Sequence, residues 1–425
     1  MSFQTGLSGL NASSRSLDVI GNNIANANTT GMKSSRAEFG DLVASSLGAA
    51  GGSAGAGIGV AVEAIAQQFT QGNINTTGNS LDVAINGGGF FQLTQNDGSL
   101  AYTRDGSFKL DKDGYIITNN GANLMGYPTD TKGVATSTTA AKLQLPTTAP
   151  IPASATTKIT AEFNLDARAL DATQATAAGK TPSPRSTYGT SLNVYDAEGV
   201  ASPVNVYFQK TDTVANSWDI YAGIDGVPLA TSTYPSLGKI TFDAAGKISG
   251  PVLGTGMGIT LAGGTIPSLN PNQASGFIPG AITVDLSGVT QFGTAFAVSN
   301  LTQDGYTSGE LTGISIGETG QITTRYSNGQ TQYKGQIALT DFRNVQGLQP
   351  LGNNAWAATY ASGDPVTGSP GVGRFGSLRA GALEESNVDL TSELVNMMTA
   401  QRAYQANAQT IKTQDQIMST LVNLR

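Results

Sequence analysis

Apolar residues at both ends of the chain recur every three or four positions, whereas those between the ends alternate with polar residues. The first rhythm marks one face of a helix and the second one face of a strand. Near the start, Phe3, Leu7, Leu10, Leu17 and Ile24 share a stripe whose intervening positions, Ser14 and Gly21, are small rather than charged. From Leu390 the rhythm strengthens: Leu394, Met397, Tyr404, Ala408, Ile411, Met418 and Val422 continue it, interrupted by Gln401 and Asp415. Asn387 or Asp389 is placed to cap this second helix, and Glu393 suits the positive end of its dipole. A helix from Leu390 to the last residue spans about 50 Å at roughly 1.5 Å per residue. The neighbouring stretches Gly51 to Gly59 and Thr367 to Gly376 read as glycine-rich linkers, which leaves both stripes without a local core to cover. They are expected to pair with each other and with further copies of the chain as an assembly seam.

Between about Gln71 and Leu145 come short alternating runs, LDVAI, FFQLT, AYTRD, SFKLD and YIITN. They are punctuated by Asn86-Gly87, Asp97-Gly98, Asp105-Gly106 and Asp113-Gly114, which predict hairpins. A proline-rich crossing from Pro146 to Pro152 leads to a second β-rich stretch containing SLNVYDAEG, VNVYFQK, SWDIYAG and KITFDAAGKI. Its expected turns are Asp196 to Gly199 and Asp243 to Gly246. After roughly Ala297 the first style returns. The predicted fold class is therefore multidomain and mainly β with helical termini: a coiled-coil-like pair of terminal helices and two β-rich domains, the outer inserted into the inner. The expected boundaries are 1–24 for the N-terminal helix, 25–70 for a connecting segment, 71–145 and 298–378 for the inner β domain, 146–297 for the outer, and 379–425 for the C-terminal helix.

A length of 425 residues allows two or three cores, since single cores rarely grow beyond roughly 250 residues. Charged residues are 12% of the chain, about half the roughly 25% usual in globular proteins, so the surface is polar but weakly charged. A formal charge of −7 without any Lys/Arg cluster argues against a nucleic-acid partner. With no cysteine there are no disulfides or thiolate chemistry, and with no histidine the commonest general base and metal ligand is missing. The first twenty residues lack a charged n-region and an apolar h-region, so no cleavable secretory signal is expected. No run approaches the roughly 20 apolar residues of a membrane-spanning helix, and no membrane insertion is expected.

Nothing else in the chain points to catalysis. Gly87-Gly88-Gly89-Phe90-Phe91 precedes a strand rather than a helix, unlike a phosphate cradle. Asp111, Asp113 and Gly114 echo the start of a calcium loop, but Ala122 occupies the position that needs an acid. The carboxylates Glu384 and Glu385, and Asp341 beside Arg343, read as solvated surface. No enzyme activity, cofactor or metal is expected.

One stretch is more specific. In Gly21-Asn22-Asn23-Ile24-Ala25-Asn26-Ala27-Asn28-Thr29-Thr30-Gly31-Met32-Lys33, closely spaced asparagines and Thr-Thr-Gly can bond their own backbone, ending the first helix and turning the chain. Asn22, Asn23, Asn26, Thr29, Thr30 and Gly31 also match, in wording, the signature turn of the rod and hook proteins of the bacterial flagellar axis. Gly78 to Phe91, Tyr102 to Tyr127 and Ser386 to Arg425 resemble the same family, so that about 40% of the chain is similar to it. Rod proteins are typically shorter and lack a large insertion; length, the second β region and the closing LVNLR favour the hook branch over a distal rod subunit. The resemblance implies a helical homopolymer, a flexible tube transmitting motor torque from rod to filament as a universal joint. It implies terminal helices lining the tube, signal-peptide-independent export through the flagellar type III apparatus, and an extracellular location at the hook and basal body. The rod, the hook cap and the hook–filament junction proteins are the implied partners.

Overall fold

The computed structural model describes residues 2–43, 57–147, 150–170, 188–211, 216–224, 238–250, 252–253, 256–261, 264–266, 276–278 and 282–423. Two helices stand at the ends, α1 (Ser2–Ala25) and α2 (Leu390–Asn423), and the other regular elements are almost all strands. The chain divides into two compact units, one made of residues 1–148, 312–325 and 331–425, the other of 149–311 and 326–330. The sequence reading ends the insertion near Ala297, but Ala297–Gln303 pairs antiparallel with Lys158–Asp166, from Ile159 opposite Gln303 to Asn164 opposite Ala297. Those ladder bonds carry the inserted unit on to Leu311.

In the first unit the segment expected to be a connector is a ribbon. Strand β1 (Ser35–Val43) pairs antiparallel with β2 (Gly57–Gln67), from Ser35 opposite Gln67 to Val43 opposite Gly57. Of the expected glycine-rich linker, residues 51–56 lie outside the described residues, and Gly57 to Gly59 belong to β2. Thr367 to Gly376 is not a linker either. Val366–Gly368 pairs with Leu339–Asp341, and the Gly376 N–H donates to the Gly88 carbonyl at 2.8 Å.

The inner β region winds around one apolar core containing Val83, Ile85, Phe91, Leu93, Phe108, Leu124, Ile337 and Leu339. A second, aromatic cluster of Phe90, Tyr102, Phe342 and Trp356 packs edge to face, with Phe69 against it. Asp97-Gly98 and Asp113-Gly114 do turn hairpins, joining Phe90–Thr94 to Leu100–Thr103 and Phe108–Leu110 to Ile116–Thr118. Asn86-Gly87 and Asp105-Gly106 do not. The strand before Gly87 pairs instead with Ser377–Ala380, close to the C-terminal helix. Local turn chemistry was the same at all four places, so long-range pairing decided between them. Ile74–Thr76 pairs likewise with Ala382–Glu384, so two ladders tie the beginning of this unit to its end.

The second unit is a sandwich. One sheet centres on Lys158–Asp166 and the other is a meander through Gly189–Tyr195, Ala201–Lys210, Ser217–Ile224, Gly238–Phe242 and Ile248–Gly250. Their inner faces share a core that includes Phe163, Leu165, Phe208, Trp218, Ile240 and Leu286. Both expected turns are present, with the Gly199 N–H donating to Asp196 O and the Gly246 N–H to Asp243 O, each at 3.1 Å.

Candidate assembly site

Helix α1 meets α2 through small residues. A methyl group at Gly6 would lie 3.2 Å from Ile411 Cγ1, and one at Gly9 would lie 2.9 Å from Asn407 Nδ2. Asn407 Nδ2 also donates to Ser13 Oγ at 3.4 Å. Glycines at 6 and 9 therefore let the helices approach closely, as side chains there would not. Val19, Ile20 and Asn23 complete the buried face of α1. The predicted stripe lies beside this face: Leu10, Leu17 and Ile24 are half-buried and Leu7 is 44% exposed.

The same offset occurs on α2. Met397, Asn407, Ile411 and Gln414 are half-buried, whereas Leu390, Leu394, Tyr404 and Met418 are exposed, Leu394 by 51%. Ala408 is half-buried, and Val395, Met398 and Ile417 add to the exposed apolar surface. The side chains of Phe3 and Val422 lie outside the described residues, although both positions are helical. Asp389 rather than Asn387 caps α2, its Oδ1 accepting from Thr391 N at 2.9 Å. Pairing within the chain thus leaves much of both apolar stripes uncovered.

The signature turn does more than stop α1. Asn26 Nδ2 donates to Asn22 O at 2.9 Å and Thr29 Oγ1 to Asn26 O at 2.8 Å, closing the helix end locally. Asn23 is buried and bonds both polar groups of Ser35, donating to its carbonyl at 2.8 Å and accepting from its N–H at 2.9 Å. One amide side chain thereby fixes α1 to the first residue of β1. Thr30 Oγ1 donates to Asp105 at 3.0 Å, and Asn354 Nδ2 to the Thr30 carbonyl at 2.8 Å. Gly31 has φ +68° and its N–H donates to Glu384 O at 2.8 Å, while a methyl group there would sit 2.5 Å from Asp105 N. Gly31→Ala should cost about 1–3 kcal/mol, combining left-handed strain with a backbone clash. Gly371 has φ +76° and open space around it, so Gly371→Ala should cost less. Thermal melts of the two variants measure the difference.

Behind the turn lies a buried ion cluster that contradicts the solvated reading of Glu384. Its Oε1 accepts from Lys33 Nζ at 2.6 Å and from Gly72 N at 3.0 Å, and its Oε2 from Arg104 Nη1 at 3.1 Å. All three side chains are buried. Lys33 Nζ also donates to Thr70 O at 2.7 Å, and Arg104 Nη2 to Gly87 O at 2.9 Å, with its guanidinium 5.3 Å above the Phe90 ring. Burial pulls the Lys33 ammonium below its ordinary range, opposed by the Glu384 charge. Asn387 adds a neutral tie, accepting from Ser34 N and donating to Gln68 O, each at 2.7 Å. Glu385 stays exposed, and Asp341 pairs with Arg374 at 2.9 Å rather than with Arg343. One signal for Glu384 was available: in Ala382–Glu384 the period of two puts Glu384 on the side of the buried Ala382.

Four family models match the chain. They are described as flagella basal body rod protein over 3–33, flagellar hook protein FlgE/F/G D1 domain over 84–162, flagellar basal body protein FlaE D2 domain over 164–306, and flagellar basal body rod FlgEFG protein C-terminal over 379–424. The chain is 41% identical over 432 residues to the flagellar hook protein FlgE of Salmonella typhimurium, covering all of both. It is 33% identical over 469 residues to that of Treponema pallidum, covering 100% of this chain and 99% of the other. A crystal structure of Helicobacter pylori flagellar hook protein FlgE2 superposes with a TM-score of 0.53 at 16% identity, covering 73% of this chain and all of that one.

Proposed function

The chain belongs to the flagellar hook protein FlgE family and is a structural subunit of the hook, and on that premise we propose that its terminal helices are the seam along which copies join. The observation that carries this reading is the offset described above. α1 spends its glycines on α2 and leaves Leu7 exposed and Leu10, Leu17 and Ile24 only half-covered, while α2 keeps Leu394, Val395 and Met398 in the open. Incompletely covered apolar surface on two long helices is costly for a free chain and is covered in a polymer.

The role is mechanical and needs no catalytic step. A tube that bends while carrying torque requires a continuous core and outer contacts that slide. A surface with 12% charged residues suits the second requirement, since few ion pairs hold it in one register. The Asn23 and Asn387 bridges and the Lys33–Glu384–Arg104 cluster serve the first, passing force from the helices into the inner sheet. The rod, the hook cap, the junction proteins and the type III export apparatus are the partners proposed for such a subunit.

The inserted unit has its own core and is not needed for the seam. Deleting 150–310 and joining the flanks should leave a chain that still polymerises. Pelleting after centrifugation checks it, and a folded deletion variant that stays entirely in the supernatant would remove the seam from the helices.

A further inference from the structure

Glu393 stands in the first turn of α2 with one carboxylate oxygen, Oε2, shut off from solvent and without a hydrogen-bond partner. It lines a groove of about 520 Å³ together with Ser16, Val19, Ile20, Arg36 and Asn396. Arg36, the cation lining that groove, is engaged elsewhere, 2.6 Å from Glu38. A carboxylate that has lost water at one oxygen without gaining a donor is incompletely satisfied, so a cation brought into the groove it lines is favoured, a guanidinium most of all.

Arg402 offers the complementary charge. Its side chain is exposed and makes no ion pair or hydrogen bond among the described residues. It follows Glu393 by nine positions, which at about 100° per residue puts the two on opposite sides of α2, roughly 13.5 Å apart along its axis. They cannot meet within one chain. Arg402 shares its side of the helix with the exposed Val395 and Met398, so a neighbour reaching it would cover apolar surface as well.

We infer that Arg402 of one subunit enters the Glu393 groove of the next. Donor and acceptor on opposite faces of the same helix make a head-to-tail contact, which repeats from copy to copy and leaves a free end of each kind on an open array. An arginine on a carboxylate also fixes direction through its paired N–H groups, as a lysine would not. The inference rests on the subunit reading above.

The test uses the full chain, with the critical concentration for polymerisation read by sedimentation. Glu393→Arg and Arg402→Glu should each raise it about tenfold or more, as loss of a close intersubunit charge pair does. A one-to-one mixture of the two variants should polymerise near the wild-type value, because alternating copies restore an opposite-charge pair at every contact. No rescue on mixing would overturn the pairing, and so would rescue of Glu393→Arg by Lys412→Glu in place of Arg402→Glu. Should Glu393→Arg disturb the monomer, Glu393→Gln and Arg402→Gln supply a second test. Their effects should be non-additive in the double variant, and simple additivity would refute a direct contact. Wild-type chain that fails to polymerise would overturn both this inference and the subunit reading; wild-type polymer with indifferent variants would overturn the pairing alone.

Discussion

Replacing Glu384 by alanine is expected to destabilise the first unit by about 3–5 kcal/mol, among the largest effects of any single substitution in the chain. The variant would leave Lys33 and Arg104, both buried, with no anion between them. Two cations without water cannot share that space, so one must leave, and the bonds to Thr70 O or Gly87 O leave with it. Glu384 is also an acceptor for Gly72 N, so a backbone donor is orphaned as well. Removing all three charges at once, with Lys33→Met, Arg104→Leu and Glu384→Leu, should cost far less than the sum of the single changes. A buried ion cluster gains little over well-packed apolar side chains of similar size, although breaking it open is expensive. Urea denaturation of the single and triple variants measures both terms. A Glu384→Ala variant as stable as the wild type would show that the cluster is hydrated and does not hold the turn.

The same cluster has a pH signature. Because burial lowers the pKa of Lys33, the folded chain gives up that proton at a lower pH than the unfolded chain, whose lysine titrates near 10.5. Between the folded value and 10.5 the unfolded chain binds more protons, so the part of the stability that depends on Lys33 rises with pH. Below that window the burial cost of the charged lysine is borne in full. Denaturation curves taken toward 10.5 should rise more steeply for the wild type than for Lys33→Met.

Periodicity carried most of the architecture. Three-four spacing located the starts of α1 and α2 to within a residue or so, but the boundary set at 379 for the C-terminal helix was wrong, since the strands Ser377–Ala380 and Ala382–Glu384 precede the helix start at Leu390. Alternation and Asp-Gly turns found strands, but they could not say which strands pair: the strand before Gly87 found its partner at the other end of the chain, and Ser107, after Asp105-Gly106, bridges back to Asp82. The glycine-rich stretches misled for a related reason. A ribbon such as β1–β2 and the strand Val366–Gly368 need little side-chain bulk once a neighbour supplies the hydrogen bonds. Glu384 was misread because low overall charge makes each carboxylate look like solvated surface, whereas its cations come from positions 351 and 280 residues away. On the helices the apolar stripe was legible, but which side of it faces the partner helix depended on Gly6 and Gly9, whose contribution is to be small.

Removing both terminal helices should abolish polymerisation completely while leaving a folded monomer, provided the cut respects the ion cluster. A fragment from Gln71 to Leu378 would not: it discards Lys33, Glu384 and the Ile74–Thr76 ladder to Ala382–Glu384, stranding Arg104 in the interior. A fragment of residues 32–388 keeps all of these and loses only α1, the turn before Met32, and α2. Its inner sheet retains the core around Phe91 and Leu339 and the aromatic cluster around Trp356, so it should melt cooperatively. What it lacks is every exposed apolar residue of α2 and the leucine stripe of α1. In the intact free chain α2 touches α1 along one side only and is exposed on the other, so its backbone hydrogen bonds should exchange quickly there. Ordering 34 residues costs roughly 1–2 kcal/mol each in backbone entropy, and one-sided packing offsets only part of that. Assembly along the proposed seam would supply the other side. Hydrogen exchange should therefore slow strongly between Leu390 and Asn423 on polymerisation and change little between Val83 and Leu124. A single substitution separates the two packing faces: Leu394→Asp, at an exposed position, should leave the monomer's melting unchanged and weaken the polymer, whereas Ile411→Asp, against Gly6, should loosen the helix pair in the monomer itself. Polymer formed at wild-type concentrations by the 32–388 fragment would place the seam in the β domains and refute the role assigned to the helices.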